Sequence, residues 1–361
     1  MNSKERFAAT LAYRTPDRPP TKHYGTPEIN RALLNHFGLS THEELLLKVG
    51  DDFRRVEPRY IGPELRTFPD GSWEGLWGER YANWSFGGGT YPEAVYLPFA
   101  EVNDPAVFSL PPQAGEPERG WRFPSPDWYD YSNVKADAQK LAGYVVCTGN
   151  AGVPDFMNGI ARCRGVEKVL LDIGEENPAY LALIEQRFEF FYEMYSRVLK
   201  AAEGTIDVLC LGEDYGNQNG LMISPLTFDK LFAPKMKAFF DLAHRHGAKA
   251  MMHCCGSNRQ LIPRFIELGL DILEVVQVDA AGMNINELHE HFYGQIAFCG
   301  SISVQNTLPF GTVEDVVREV ELRKRLFAQG GMIIAATHDI QVGTPLANIE
   351  AMYRAIGSLR E

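Results

Sequence analysis

The sequence has no hydrophobic run near the roughly 20 residues that would span a bilayer. Its polar start, from Met1 to Arg6, lacks the apolar core of a signal peptide. Only six cysteines are scattered over 361 residues, which excludes a disulfide framework. Basic residues are outnumbered, 35 to 47, and the net charge of −12 argues against nucleic-acid or acidic-membrane binding, because neutralising phosphates requires a surplus of Lys and Arg. We therefore expect a soluble, cytoplasmic protein.

The composition, 45% hydrophobic and 23% charged, is typical of a folded globular protein. The chain shows no repeat, low-complexity tract or charge block that would mark a linker. Residues 13–131 are rich in Pro, Gly and aromatic residues, which indicates turns and irregular segments that cover another part of the protein. The sequence predicts one domain over residues 1–361, with an N-terminal extension and pocket-covering loops in 1–140 and regular units in 141–361.

From about residue 140, short apolar runs alternate with longer amphipathic segments, as expected for buried parallel strands joined by helices. The clearest helix is Thr312–Gln329, with Thr312 as its cap and glycines after its end. Two further helices are predicted over Pro225–His246 and Arg259–Leu268. No Gly-x-Gly-x-x-Gly turn follows a predicted strand, so a (β/α)8 TIM barrel is favoured over a doubly wound sheet. The predicted strands are Tyr144–Thr148, Ile206–Gly212, Ala248–Cys254, Ile272–Gln277, Ile296–Gly300 and Met332–Thr337.

The polar residues that end these strands would meet at one rim of a barrel, where active sites of that fold are built. His253 and Cys255 are two residues apart, so in an extended chain both face one side while Cys254 faces the other. With His338 from a later strand end, they offer three ligands and an open fourth position, as in catalytic zinc sites. The alternative is a buried cysteine pair beside a hydrogen-bonded core histidine.

Glu213 and Asp214 follow a predicted strand directly. One of them would reach the site as a general acid, a base or a metal ligand, and the other would cap the next helix; alternatively both cap or meet solvent. Gln218 and Gln277 would orient a substrate or satisfy backbone groups. The aromatic residues of 73–96 and 121–131 would line a pocket or pack in the core, of which core packing is the commoner role.

The sequence resembles the uroporphyrinogen decarboxylase superfamily. Within that superfamily it is most similar to the zinc- and corrinoid-dependent methyltransferases, in an O-demethylase-like branch. The resemblance covers nearly the whole chain and is strongest after residue 200. Its most recognisable block is His253-x-Cys255-Gly256-Ser257. Further matching segments are Thr15-Pro16-Asp17-Arg18-Pro19, Asp214-x-Gly216-x-Gln218, Ile262-Pro263, Gln277, Gly300, Gln305, Leu308-Pro309 and Thr344-Pro345.

The resemblance implies a TIM barrel, zinc held by His253, Cys255 and a later residue, and a corrinoid bound through positions such as Gln218, Gln277 and Gln305. Thiol-activating relatives use a third ligand that is cysteine, whereas this chain has His338. Replacing an anionic thiolate by a neutral imidazole leaves more positive charge on the metal, which favours an oxygen-linked methyl donor such as a methyl ether or methoxyl compound.

The chain lacks the Asp-x-His-x-x-Gly sequence of a cobalamin-binding domain, so the corrinoid is expected on a partner protein. A homodimer is a family-level expectation. Two alternatives stay open: a decarboxylase that acts on a smaller substrate than uroporphyrinogen, and a non-catalytic barrel that binds a corrinoid or tetrapyrrole. The arginine-rich N-terminal motif of uroporphyrinogen decarboxylation is absent.

Overall fold

The computed structural model describes residues 1–109 and 122–361. Within these residues, none of the helices combines the length and the apolar content that crossing a membrane requires. The strands are β1 (Phe53–Arg55), β2 (Arg59–Tyr60), β3 (Trp73–Glu74), β4 (Arg80–Phe86), β5 (Gly89–Tyr96), β6 (Tyr129–Asp130), β7 (Val145–Pro154), β8 (Val208–Gly212), β9 (Lys249–His253), β10 (Ile272–Val276), β11 (Ala297–Ile302) and β12 (Met332–Ala336).

The helices surround the main sheet and connect its strands. They are α1 (Ser3–Leu11), α2 (Pro27–Phe37), α3 (His42–Val49), α4 (Val134–Lys140), α5 (Asn158–Arg164), α6 (Val166–Glu175), α7 (Pro178–Ala202), α8 (Pro225–Thr227), α9 (Ala233–Arg245), α10 (Ile262–Leu268), α11 (Ile285–Phe292), α12 (Thr307–Phe310), α13 (Val313–Leu326) and α14 (Leu346–Ile356). A π-helical turn, Phe228–Phe232, joins α8 to α9.

The main sheet has seven strands in the order β1-β7-β8-β9-β10-β11-β12, and all neighbouring pairs are parallel. Neighbours in the sheet therefore follow one another along the chain, without the reversal of order that defines a doubly wound sheet. This is the winding of a TIM-barrel-like fold, in which the carboxyl ends of all strands lie at one rim.

The extended residues 20–25, which we call the closing segment, bond to both edges of this sheet. The backbone N–H of Ile334 in β12 donates to the carbonyl of Pro20 at 2.9 Å, and the N–H of Asp52, just before β1, donates to the carbonyl of Thr21 at 2.9 Å. In place of the eight strands predicted, the described part of the chain has seven hydrogen-bonded strands and a short segment that bonds to both edges of the sheet.

The regular units predicted after residue 140 agree with the structure: each of the six apolar runs overlaps one strand from β7 to β12, although β7 continues six residues beyond its predicted end. Helix α13 begins after Thr312, whose side chain accepts from the N–H of Asp315 while Asp315 bonds back to Thr312. The two other predicted helices correspond to α8 through α9 and to α10 with the 3-10 turn before it.

The front of the chain has more regular structure than its composition indicates. Helices α2 and α3 and strand β1 lie in the region predicted as irregular, and β4 pairs with β5 in an antiparallel hairpin. The aromatic residues there take separate roles: Trp77 packs in the core beside Phe190, with ring centroids 5.8 Å apart, whereas Trp84 on the hairpin is 62% exposed. Trp121 lies outside the described residues.

Side chains alternate along the strands between two hydrophobic clusters. The larger cluster lies between the sheet and the helices. The smaller one, the interior cluster, is enclosed by the strands and α1 and consists of Phe7, Phe53, Val145, Cys147, Val208, Cys210, Met251, Ile272, Ala297, Cys299, Ile333 and Ala335. Near the carboxyl end of each strand, the side chains that face the same side as the interior cluster lie at the rim, beside the site residues.

Candidate active site

Three side chains with metal-binding atoms converge at the carboxyl rim: His253, Cys255 and His338. One ligand atom from each lies within 4.8 Å of the others. The Nε2 atom of His253 is 3.2 Å from the Sγ atom of Cys255, and the rings of the two histidines have centroids 5.8 Å apart. We call these three residues the donor cluster.

The sequence forms this cluster through strand alternation followed by a sharp turn. Met251 belongs to the interior cluster, so His253, two residues later at the end of β9, faces the same side. Cys254 is fully buried in the larger cluster on the other side, as predicted. Gly256 then turns the chain with φ of +76°, and a Cβ there would lie 2.6 Å from the carbonyl oxygen of Gly216, so the position requires glycine.

Behind His253, a buried ion pair fixes the ring. The Nδ1 atom of His253 is 3.5 Å from Oε1 of Glu274, its direct neighbour on β10. The other carboxylate oxygen of Glu274 pairs with Nζ of Lys22 in the closing segment at 3.2 Å. With Nδ1 directed toward Glu274, Nε2 of His253 faces Cys255, and a metal would bind there in place of the Nε2 proton, with the ring orientation that metal-bound histidines have.

The pKa values of these groups follow from burial and mutual contact. Burial alone would lower the pKa of His253, but its bonds to Cys255 and Glu274 outweigh this and raise it well above its usual value. Burial raises the pKa of the Cys255 thiol, and His253 opposes that rise. Burial also works against ionisation of Glu274, but Lys22 and His253 hold the pKa of this carboxyl well below its usual range. The arrangement thus favours an ionised Glu274 between two cations.

His338 is the exposed member of the donor cluster. Its Nδ1 atom accepts a hydrogen bond from the backbone N–H of Asp339 at 2.7 Å. A neutral imidazole has one nitrogen with a free lone pair. Metal binding through this ring therefore competes with the bond from Asp339, either directly at Nδ1 or by moving the proton onto that atom.

The two adjacent carboxylates after β8 have different surroundings. Glu213 is buried, and its carboxylate accepts from the backbone N–H groups of Phe156 at 2.5 Å and Met157 at 3.1 Å. Asp214 faces the donor cluster: its Oδ1 accepts from the N–H of Cys255 at 2.7 Å and lies 4.0 Å from Nε2 of His253. Glu213 therefore has the backbone-capping role, and Asp214 is the carboxylate beside the donor cluster.

The three glutamines are not brought together. Gln277 is buried, and its Oε1 accepts from the N–H of Gly256 at 2.8 Å, so it holds the turn that follows Cys255. Gln218 and Gln305 are exposed on the rim loops after β8 and β11.

A cavity of about 730 Å³ opens at the rim, with His253 and His338 in its wall. Its charged lining residues include Lys22, Arg55 and Glu274. None of the aromatic residues of 73–96 and 122–131 lines it, so of the two roles predicted for them, lining a pocket is wrong for this cavity. Its aromatic walls are Tyr24 and Phe53 instead.

Sequence reasoning missed Lys22, Glu274 and Arg55. Glu274 had a detectable signal, because a charged residue inside the apolar run Ile272–Gln277 must find a partner when the strand is buried. Lys22 had none, since its segment carries no strand pattern. Arg55 belongs to a strand of three residues, which is too short for alternation to appear.

The sequence model of the family uroporphyrinogen decarboxylase (URO-D) matches residues 131–359, which is more than half of the chain. No curated protein sequence matches the chain significantly.

Two solved structures are similar to this chain. A B12-independent methionine synthase from Shewanella sp. W3-18-1, in complex with selenomethionine, has 12% identity and a TM-score of 0.33 over 63% of this chain and 64% of that chain, so the match spans less than two thirds of that enzyme. Dispersin B has 10% identity and a TM-score of 0.36 over 95% of this chain and 97% of its own. At these values neither likeness carries an argument about function.

Proposed function

Because this chain belongs to the uroporphyrinogen decarboxylase family, we propose that it is a zinc-dependent methyltransferase of the corrinoid-linked, O-demethylase-like branch. It would move a methyl group from an oxygen-linked donor, such as a methyl ether or methoxyl compound, to a corrinoid carried by a partner protein. The observation that carries the proposal is the convergence of His253, Cys255 and His338 within 4.8 Å at the carboxyl rim.

The donor cluster fits zinc in chemistry and in spacing. Mixed histidine and cysteine ligation is typical of zinc and not of Mg²⁺ or Ca²⁺, which prefer oxygen ligands. Zinc–ligand bonds of about 2.0–2.3 Å place tetrahedral ligand atoms roughly 3.3–3.8 Å apart. His253 Nε2 and Cys255 Sγ are already 3.2 Å apart, so small side-chain movements complete the set. Three ligands leave a fourth position for substrate.

When bound, zinc supplies Lewis-acid polarisation of the oxygen that carries the methyl group. The chain supplies the rest. Glu274 and Lys22 hold His253 so that its Nε2 faces the ligand position. Asp214 fixes the backbone of Cys255 and is the carboxylate beside the donor cluster, so it would take up a proton from solvent and pass it to the oxygen that loses its methyl group. Glu213, bonded to two backbone N–H groups, has no such role.

The corrinoid protein would approach the open rim, where Gln218 and Gln305 are exposed on loops. Both amides offer donors and acceptors to a macrocycle that arrives from solvent. Gln277 would not contact the corrinoid in this scheme, because its side-chain oxygen accepts a hydrogen bond from the N–H of Gly256.

A carboxy-lyase is the second candidate, and one observation favours it: Arg54 and Arg55 both line the cavity, as expected for a site that binds carboxylates. Such an enzyme would act without metal. The two candidates therefore separate on a single property, the dependence of activity on the donor cluster.

The first test is the zinc content of the purified chain and of Cys255→Ser, His253→Ala and His338→Ala. We expect about one zinc per wild-type chain and its loss in all three variants, with the fold retained by circular dichroism. Cys254→Ser and His246→Gln are matched controls, because neither side chain belongs to the donor cluster. A wild-type chain that takes up no zinc from a zinc-containing buffer contradicts the proposal.

The second test is methyl transfer from methoxylated donors to reduced cobalamin, followed by its absorption spectrum. Activity that disappears in Cys255→Ser and persists in Cys254→Ser supports the methyltransferase. Loss of carbon dioxide from a carboxylated donor by the zinc-free chain would instead support the lyase.

A further inference from the structure

Two cysteines in the cavity wall take no part in the proposed reaction. Cys147 on β7 and Cys210 on β8 both line the cavity, and both belong to the interior cluster, so their side chains face the same side of the sheet. The six cysteines of the chain are all free thiols. We call Cys147 and Cys210 the thiol pair.

Strand register sets the thiol pair diagonally across two neighbouring strands. Cys147 is aligned with Val208, so Cys210 lies two residues farther along β8. With strands about 4.8 Å apart and a rise of about 3.3 Å per residue, this diagonal separates the two Cα atoms by about 8 Å. A disulfide requires less than about 7 Å between its Cα atoms. The thiol pair is therefore too widely spaced for a direct S–S bond, and an atom fits between its sulfurs.

The two thiols interact with each other and with a nearby cation. A hydrogen bond with Cys210 lowers the pKa of the Cys147 thiol although burial opposes this, and the charge of Lys22 adds to the lowering. The same hydrogen bond, together with burial, raises the pKa of Cys210. The ammonium of Lys22 interacts with both sulfurs. The pair thus combines one thiol that ionises more readily with a cation that offsets added negative charge.

The thiol pair is distinct from the donor cluster. Gly212 is aligned with His253, and Cys210 precedes Gly212 by two residues. Because inward-facing residues recur at every second position, the thiol pair lies one inward position deeper in the cavity than His253. Among the described residues, no His, Cys, Asp or Glu joins both thiols in a group of three ligand atoms within 4.8 Å. The pair thus offers two donor atoms and lacks a third of that kind in the part of the chain that the structure describes.

We propose that Cys147 and Cys210 bind one soft cation, Cu⁺, between their sulfurs, as a second metal site below the donor cluster. Thiolates are soft ligands that select Cu⁺, and this ion is satisfied by two sulfur ligands in a line. Zinc takes three or four protein ligands and does not fit a site of two donors. The inference is independent of the proposed methyl transfer, because it uses none of the residues of the donor cluster.

Binding exchanges two protons for one cation. Each S–H bond breaks and releases its proton to solvent, both sulfurs bond to Cu⁺, and the oxidation state of the metal does not change. The hydrogen bond that Sγ of Cys147 donates to the carbonyl of Arg54, 3.3 Å away, is lost. The product carries a single negative charge, which the ammonium of Lys22 offsets. The cation reaches the pair through the cavity, since both thiols lie in its wall.

The test is titration of the zinc-equilibrated chain with Cu⁺ under argon, in competition with the chromophoric chelator bicinchoninate. We expect about one Cu⁺ per chain, held against the chelator, with the zinc content unchanged. X-ray absorption at the copper edge should show two sulfur neighbours and no nitrogen. This spectrum is recorded on the wild-type chain, so it stands even where a variant fails to fold.

The variants Cys147→Ser and Cys210→Ser should each lose the bound copper and keep their zinc, with the fold checked by circular dichroism. Cys299→Ser is the matched control, because Cys299 belongs to the interior cluster but does not line the cavity. It should bind copper as the wild type does.

Copper that displaces zinc, or that has nitrogen among its neighbours, would lie in the donor cluster and would overturn the inference. Copper that is retained in Cys147→Ser, copper that is lost in Cys299→Ser, a wild-type chain that yields all its copper to the chelator, or a disulfide between Cys147 and Cys210 after exposure to air would each overturn it as well. A chain that binds copper through the thiol pair but takes up no zinc supports this inference and contradicts the proposed function.

Discussion

The two walls of the cavity differ in how their charges are satisfied. On the wall formed by the closing segment, β9 and β10, Lys22, Glu274 and His253 contact one another in a chain. On the wall formed by β1, Arg55 is exposed to solvent and forms no hydrogen bond or ion pair with the described residues. Buried charges are costly unless paired, so the charges of the first wall are satisfied within the fold, whereas the charge of Arg55 on the second wall is left to solvent.

The largest loss of stability is expected when the central charge of the first wall, that of Glu274, is removed. The change Glu274→Gln removes the negative charge between two cations and leaves Lys22 buried without a partner, which should cost about 3 kcal/mol of unfolding free energy. Urea denaturation measures this cost. In the double variant Lys22→Met with Glu274→Gln the loss should be smaller, because no unpaired charge remains. If the double variant is the less stable of the two, Lys22 and Glu274 are not coupled as the structure indicates.

His23 tests the closing segment, which joins the two walls. Its Nδ1 accepts from the hydroxyl of Tyr353 at 2.6 Å and its Nε2 donates to Oδ1 of Asn30 at 2.8 Å, so the neutral ring is fully bonded. Burial lowers the pKa of His23 to about 4 from 6.5.

Because this folded-state pKa is depressed, the stability that His23 contributes is present above pH 6.5 and is lost as pH falls toward 4. We expect the difference in unfolding free energy between wild type and His23→Gln to shrink by about 2–3 kcal/mol across that window. Taking the difference removes the opposing contribution of Asp51, whose pKa burial raises to about 6. A difference that is flat with pH would mean that His23 is protonated in the folded chain.

The zinc affinity of the donor cluster should also depend on Glu274, a residue that would not itself bind the metal. In Glu274→Gln, the zinc affinity measured by competition with a chromophoric chelator should fall about 10-fold to 100-fold, because the His253 ring loses its anionic partner. Glu319→Gln serves as the control, since Glu319 is a buried acid away from the cavity lining. Equal affinities of the two variants would show that Glu274 does not orient His253.

The smallest change in stability is expected for a substitution on the second wall, which is formed by β1. Arg55→Gln should change the unfolding free energy by less than about 0.5 kcal/mol, because no contact is lost. Its neighbour gives the contrast: Arg54→Gln removes an ion pair with Glu43 and stacking on Tyr144, with the guanidinium 4.1 Å from the ring centroid, and should cost at least about 1 kcal/mol. Similar losses in both variants would mean that Arg55 also has a partner in the fold.

The sequence predicted what depends on local periodicity and missed what depends on pairing between distant segments. Apolar runs located the strands from β7 to β12, and the spacing of His253 and Cys255 located two members of the donor cluster. The choice between Glu213 and Asp214 was out of reach, because β8 ends at Gly212 and alternation no longer fixes the direction of the residues that follow.

The missed residues of the site are those whose role is created by tertiary contact. Lys22 gains its function from Glu274, a residue about 250 positions away that only the closed sheet brings within 3.2 Å. Arg55 lines the cavity only because β1 pairs with β7, a contact that no sequence pattern records. For the aromatic residues of the front segment, composition left pocket lining and core packing both open, because composition does not say which face of a hairpin meets the site.

The closing segment also has a consequence for how the chain acquires its shape. Residues 20–25 leave the ribosome early, yet the groups to which they bond in β12 are made more than 300 residues later. The sheet edges at β1 and β12 therefore cannot share their common neighbour until synthesis is nearly complete, and contacts of such long sequence separation form slowly. Lys22 belongs to this segment, so the same residues that join the two edges of the sheet also bring the counter-charge of Glu274 to the site.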